Sequence, residues 1–326
     1  MMKSASISLL RRNSNLAIAL SALVVLFAAF VAIHPRGLST YVLTIWFNQG
    51  TLLGLAAIAQ FFVVLVRGVD LSVGPIVALT NVAASYLLIG SSGAIALGAG
   101  AVVALGVTCG LLNGIAVVYG RIQPIVTTLA TGSMISGLAL LLRPTPGGSI
   151  DENLSDALTY DIYGIPTSAL LLFGILIALI VPMRQSLFGL TLYATGSAES
   201  SAHMTGVRVH RVKLAAYAAS GGFSALAGLY VSMVTLTGDP AIGPSYTLNS
   251  IAAVVLGGVA LTGGVGSPLG AVAGALILKT ISSLMFFSGL PPLAQPFFEG
   301  LVLAAAIGLG ALGMFRIRNR LELFQQ

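Results

Sequence analysis

Apolar runs broken by short polar interruptions fill this chain from near its start to near its end. Ten can be read, each bounded by glycine, proline or charge, at approximately 16–33, 42–66, 71–89, 94–118, 123–142, 168–183, 213–236, 248–262, 267–287 and 296–314. Each is read as a membrane-spanning helix, although 168–183 and 248–262 are short against the roughly 20 residues a span needs. The first run exceeds a signal-peptide core and no A-x-A site follows it before His34, so it reads as a retained span. Ten spans divide into five and five, and an odd number per half makes the halves enter the membrane from opposite sides. Each half breaks its helix after its second span, at residues 67–75 (RGVDLSVGP) and 237–244 (TGDPAIGP). Matched glycine- and proline-interrupted segments are what an inverted-repeat transport pathway uses, and they are also what ordinary connecting loops look like.

Composition agrees with the pattern. The chain is 57 % hydrophobic and 7 % charged, where soluble domains hold roughly 25 % charged residues. Thirty-nine glycines in that background suit close helix packing in lipid. The one cysteine, Cys109, excludes an internal disulfide. The predicted fold is therefore an all-α polytopic membrane protein of about ten transmembrane helices in two inverted halves with discontinuous helices. It forms a single domain over 1–326, with membrane lipid around it.

The net charge of +6 does not point to nucleic acid, because the basic residues sit at the ends of apolar runs. With the amino terminus inside, twelve Lys and Arg fall on the cytosolic side, and Arg36 and Arg143 alone fall outside. That bias places both termini in the cytosol. Residues 184–212 become the largest cytosolic loop, and 143–167, with Asp151, Glu152, Asp156 and Asp161, the largest external one. The external loop is either simply solvated or a docking surface.

Candidate chemistry is sparse. Asp70 in GVDLSVGP can cap the next helix, with Ser72 beside it. A carboxylate near membrane depth is also a candidate for the solute pathway. Asp70→Ala is then expected to lower transport more than membrane level. Lys279 lies inside the ninth run with Ser282 one turn on, so it must snorkel, pair or face a wet cavity. Gly266, Gly270 and Gly274 form a small-residue ridge. Gly308, Gly310 and Gly313 spell a dinucleotide fingerprint without the strand that fingerprint requires. No G-x-x-x-x-G-K-[ST] string occurs. His203 and His210 lack metal-ligand spacing, and no catalytic group or cofactor site is expected. Residues 197–204 can form a short cytosolic helix, with Glu199 and His203 paired at i,i+4 and Gly206 as a left-handed stop. Proline at Ser201 is expected to break it.

Several strings together resemble the membrane permeases of bacterial ATP-binding-cassette sugar importers of the ribose-permease type. They are GVDLSVG at 68–74, PIVTTLAT at 124–131, the spacing from Gly196 to Gly206, YAASG at 217–221 with Ala227 and Gly228, and residues 248–277. They cover about residues 42 to 310 in the family's order. Ala198, Ser200, His203, Thr247 and Asn249 depart from the family pattern. The resemblance implies a subunit of the bacterial inner membrane with no enzymatic site of its own. It implies a second permease chain, identical or different, cytosolic ATP-binding-cassette ATPases and an external substrate-binding protein. It implies a monosaccharide or related polyol as solute; branched-chain amino acids or nucleosides are the alternative. An ion-coupled secondary transporter would want more intramembrane carboxylates. On this reading Asp70, Ser72, Asn249, Lys279 and Ser282 lie along the solute path. Gly196, Glu199, Ser201, Ala202, His203 and Gly206 belong to the ATPase-coupling loop.

Overall fold

The computed structural model describes residues 2–291 and residues 294, 297, 298, 300, 301 and 304, with side chains from residue 15. Each of the first nine apolar runs carries a helix: α1 (Met2–Ile33), α2 (Thr40–Leu65), α3 (Val73–Leu87), α4 (Ser92–Val118), α5 (Pro124–Leu142), α7 (Thr167–Gln185), α10 (Val209–Thr235), α11 (Gly243–Leu256) and α12 (Pro268–Phe287). The tenth run, 296–314, lies largely outside the described residues, as does the 308–313 glycine string. Among the described residues, seven helices are long and apolar enough to cross a membrane. The shorter two, α3 and α11, are those that follow the breaks.

Short polar residues start the helices where the apolar runs begin. The hydroxyls of Ser39, Ser91, Ser186 and Ser267 accept from the backbone N–H three residues on, at 3.0–3.4 Å. Two boundaries differ from the sequence reading. The second half's short helix is not 248–262 but α11, because Pro244 suits a first helical turn and the glycines from Gly257 to Gly266 turn the chain away. The 184–212 segment is mostly helical. Ser186 starts α8 (Leu187–Ser197), Ala198 separates it from α9 (Glu199–Met204), and α10 begins already at Val209.

The two halves exchange partners. Helix α4 packs against α10 of the other half, and α12 against α2; α3 lies on α10, and α11 on α2. α2 and α10 form the centre. The apolar window of α2 is 89 % buried, that of α1 11 %, so α1 lies at the periphery. Glycines permit these contacts: Gly106 and Gly110 of α4 meet the backbone of α10 at Gly221 and Tyr217, and Gly270 and Gly274 of α12 meet that of α11 at Gly257 and Ala253. The glycine ridge is thus a packing surface.

The 143–167 segment is folded rather than loose. It holds α6 (Glu152–Thr159), capped by Asp151, and a two-residue hairpin of β1 (Asp161–Ile162) and β2 (Ile165–Pro166). Ser155 donates to the Met233 carbonyl at 2.6 Å, and Gly147 and Gly238 exchange two backbone bonds. Glu152 and Asp156 remain exposed on the outer face of α6.

Candidate functional site

The two breaks are built alike. Each carries Asp-x-x-x-Gly-Pro, at 70–75 and 239–244. In each, the aspartate Oδ1 accepts from the backbone N–H two residues on, Ser72 at 2.9 Å and Ala241 at 2.8 Å. This local turn lets the chain re-enter a helix without losing its amides. The helices that follow cross at the matching glycines. An ideal Cβ on Gly243 would lie 2.9 Å from the Gly74 carbonyl oxygen, and one on Gly74 would overlap the Gly243 carbonyl and the Thr247 hydroxyl. The crossing lies beside Leu55, Ala56 and Ala59, about half-way along α2. Two discontinuous helices thus begin at mid-depth, each with the positive end of its dipole at the crossing.

Around the first break a polar knot joins five helices. Asp70 is fully buried. Its Oδ1 also accepts from the Ser72 hydroxyl, and its Oδ2 accepts from Ser220 of α10 at 2.8 Å. Ser72 in turn accepts from Asn113 Nδ2 of α4 at 2.7 Å, and Asn113 Oδ1 accepts from Thr131 of α5. Gln60 of α2 completes the knot: with its amide turned so that nitrogen faces the acceptor, it donates to the Asp70 carbonyl at 2.9 Å and accepts from the Asp70 N–H at 3.1 Å. Thr128 of α5 accepts from the Leu71 N–H at 3.0 Å. Both carboxylate oxygens face protein donors, so Asp70 and Ser72 present no surface to solvent. The second break is held from α3: Asn81 Oδ1 accepts from the Asp239 N–H at 2.6 Å, and its amide donates to the Thr237 carbonyl at 3.0 Å.

The remaining pathway candidates stand elsewhere. Asn249 is half-buried on α11 and Lys279 half-buried on α12. Ser282 donates to the Leu278 carbonyl and lines a cavity of about 340 Å³ between α1, α2 and α12, with His34, Trp46, Gln49 and Phe287.

At the opposite end from α6, three backbone segments meet with almost no side chain between them. The Gly264 N–H donates to the Leu65 carbonyl at 2.9 Å, and any Cβ on Gly196 would overlap that same carbonyl. Arg67, in a left-handed conformation (φ 67°), donates Nε to the Gly196 carbonyl at 2.7 Å and Nη2 to the Ser197 carbonyl at 2.6 Å. A guanidinium on the last carbonyls of α8 satisfies acceptors the helix leaves open and opposes the negative end of its dipole. One residue separates this clamp from α9 on one side, and Gly68 and Val69 separate it from Asp70 on the other.

Helix α9 is shorter than 197–204 because α8 runs through to Ser197. Its end matches expectation: Gly206 is left-handed (φ 86°), and the N–H groups of Gly206 and Val207 bond back to His203 and Ala202, the Schellman pattern. Ala202 is buried. Glu199 does not rely on His203; its Oε1 takes Lys213 Nζ at 2.7 Å. Ser201 is only the third residue of α9, and Ala202 supplies the first N–H bonded back, to Ala198. A proline at Ser201 therefore removes no helical bond. His203→Pro is the change that breaks this helix, and it should leave membrane level unchanged because α9 lies outside the long apolar helices.

Sequence reading passed over Gln60, Asn113 and Ser220. A signal was present, since amides inside apolar runs are costly in lipid without partners. So was the repeated Asp-x-x-x-Gly-Pro string. Arg67 carried no signal beyond its place at a span end.

Residues 42–314 match the family described as "Branched-chain amino acid transport system / permease component". The ribose import permease protein of Haemophilus influenzae is 31 % identical over 292 residues, covering 88 % of this chain and 90 % of that protein. The autoinducer 2 import system permease protein of Salmonella typhi is 32 % identical over 302 residues, covering 91 % and 85 %. Its counterpart in Yersinia pseudotuberculosis is 34 % identical over 305 residues, covering 91 % and 84 %. No solved structure matches the chain.

Proposed function

The chain belongs to the family described as the permease component of branched-chain amino acid transport systems, and on that premise we propose that it is the membrane subunit of an ATP-binding-cassette importer for a monosaccharide or related polyol. The observation that carries the reading is similarity along nine-tenths of the chain to permeases whose names state ribose or autoinducer 2 import. The family's description mentions branched-chain amino acids, but these relatives do not. A binding protein delivers the solute, and separate ATPase subunits supply the energy. The chain itself hydrolyses no ATP, since its sequence holds no phosphate-cradling P-loop string. A second permease chain, identical or not, completes the membrane unit.

In this reading both termini and 184–212 face the cytosol. Arg67, Arg121 and Lys213 gather around one cavity at the α9 end of the bundle, whereas Arg36 and Arg143 follow the opposite ends of α1 and α5, which supports that orientation. α9 docks on the ATPase, and the Arg67 clamp relays its movement to the first break. The polar knot positions the break and does not itself touch solute; Asn249, Lys279 and Ser282 remain the candidates for solute contact.

The test is uptake by proteoliposomes that hold the permease with its ATPase and binding protein, offered labelled ribose or labelled leucine. ATP-dependent ribose uptake is expected, with none from vesicles that hold this chain alone. Uptake of leucine and not of ribose would assign the chain to the other solute class. A cysteine at Asp156 should be labelled only from outside; labelling only from the cytosolic side reverses the orientation.

A further inference from the structure

Four non-glycine residues adopt left-handed backbone conformations among the described residues, and two of them are arginines, Arg67 (φ 67°) and Arg121 (φ 53°). A left-handed non-glycine residue is strained and persists where its surroundings hold it. Both arginines line the same open cavity of about 370 Å³, bordered by the end of α2, the α4–α5 connection, α9 and the start of α10. Lys213 and Glu199 share the wall as an ion pair at 2.7 Å, so the lining carries three cations and one carboxylate, and its net charge of +2 comes from the two arginines.

Two further features point the same way. The N-terminus of α5, a 19-residue helix, closes the cavity at Gln123 and Pro124, and no side chain caps it. Its partial positive charge adds to that of the arginines. Tyr217 of α10 also lines the cavity. It is 1 % exposed, and its hydroxyl has no hydrogen-bond partner among the described residues. A buried hydroxyl without a partner costs free energy unless something meets it. A donor without an acceptor, beside two arginines and an uncapped helix start, is a setting that an anion with several acceptor oxygens would complete.

We propose that this cavity is a phosphate-binding site, taking a phosphate group between Arg67, Arg121, Lys213 and the Tyr217 hydroxyl. A phosphate near neutral pH carries between one and two negative charges and several acceptor oxygens, which matches both the net charge and the orphaned donor. The group belongs either to a soluble phosphate compound or to the headgroup of a membrane lipid. The site needs no assumption about which solute is carried.

The test uses the full chain, first in detergent without phosphate. Inorganic phosphate should raise the thermal midpoint beyond the effect of chloride at equal ionic strength. Arg121→Gln should weaken phosphate binding at least about tenfold, as loss of a charged hydrogen bond does. Tyr217→Phe should weaken it as well, yet leave the phosphate-free midpoint unchanged or higher, because the hydroxyl it removes has no partner among the described residues. Nanodiscs separate the two sources. If lipid is the occupant, phosphatidylglycerol in the disc abolishes the response to inorganic phosphate, and mass spectrometry of the intact protein finds that lipid held by wild type and lost by Arg121→Gln. If a soluble compound is the occupant, the response persists in phosphatidylcholine and phosphatidylglycerol discs alike. The proposal is overturned if phosphate does no more than chloride, or if both variants respond as wild type does. It is also overturned if Arg121 cross-links to an ATPase carboxylate and no phosphate binding is found.

Discussion

Gly74→Ala should leave little assembled permease in the membrane, although it adds a single methyl group. That methyl would enter the space of the Gly243 carbonyl and the Thr247 hydroxyl where α3 and α11 cross. Backbone cannot turn aside as a side chain can. The cost therefore falls at or above the top of the about 1–3 kcal/mol typical of overpacked cores. Gly243→Ala should do the same from the other side, since its Cβ would meet the Gly74 carbonyl at 2.9 Å. Thr247→Ala should not rescue Gly74→Ala, because the carbonyl remains. Gly137 of α5 has nothing within 4 Å of an added Cβ. Gly137→Ala should stabilise the chain by about 0.5–1 kcal/mol, the helix-propensity gain. Membrane level and thermal midpoint in detergent read all four variants. Normal assembly of Gly74→Ala would mean that α3 and α11 do not cross at these glycines.

Asp70→Ala should lower membrane level and transport together. This reverses the expectation from sequence alone, and the reason is burial. The carboxylate accepts from the Ser72 N–H, the Ser72 hydroxyl and the Ser220 hydroxyl. Removing it strands three buried donors, each at a cost of about 1–3 kcal/mol. Asp70→Asn keeps the shape and one acceptor oxygen, and the Ser220 hydroxyl can rotate to accept from the new amide. Protein level should therefore fall in the order wild type, Asn, Ala. Ser220→Ala should cost less than Asp70→Ala, since it removes one donor and leaves the carboxylate two others. If Asp70→Ala reaches the membrane at wild-type level yet transports nothing, the carboxylate acts on solute and the knot is not its role.

Arg67 separates backbone from side chain. Arg67→Gly accepts the left-handed conformation without strain, which offsets part of what the lost side-chain bonds contribute, so the chain should still fold. It loses both bonds to the end of α8, and binding-protein-stimulated ATP hydrolysis in the assembled complex should fall while assembly persists. A stimulated rate equal to wild type would remove Arg67 from the relay.

Much of this architecture is already fixed by the order of residues, because a chain in lipid must satisfy its backbone internally and helices do so locally. Run lengths therefore mark seven of the first nine helices to within a few residues, while α1 begins well before its run and α11 is displaced by the glycines that follow it. Local chemistry likewise writes the serine caps, the left-handed stop at Gly206 and the aspartate turns of both breaks, each closed within four residues of its own position. What the sequence left open shares one cause, which is distance along the chain. Asp70 meets Ser220 across 150 residues, and Arg67 meets Gly196 across 129. Nothing near Asp70 says that both its oxygens are taken, so a buried structural carboxylate and a pathway carboxylate look alike until α10 is laid against α3. Nothing near Ser197 says that α8 continues through it, which pushes α9 two residues on. The crossing of Gly74 and Gly243, the five-helix knot and the cavity between Arg67 and Arg121 exist only once the two halves exchange helices, because each of these contacts takes one partner from elsewhere in the chain.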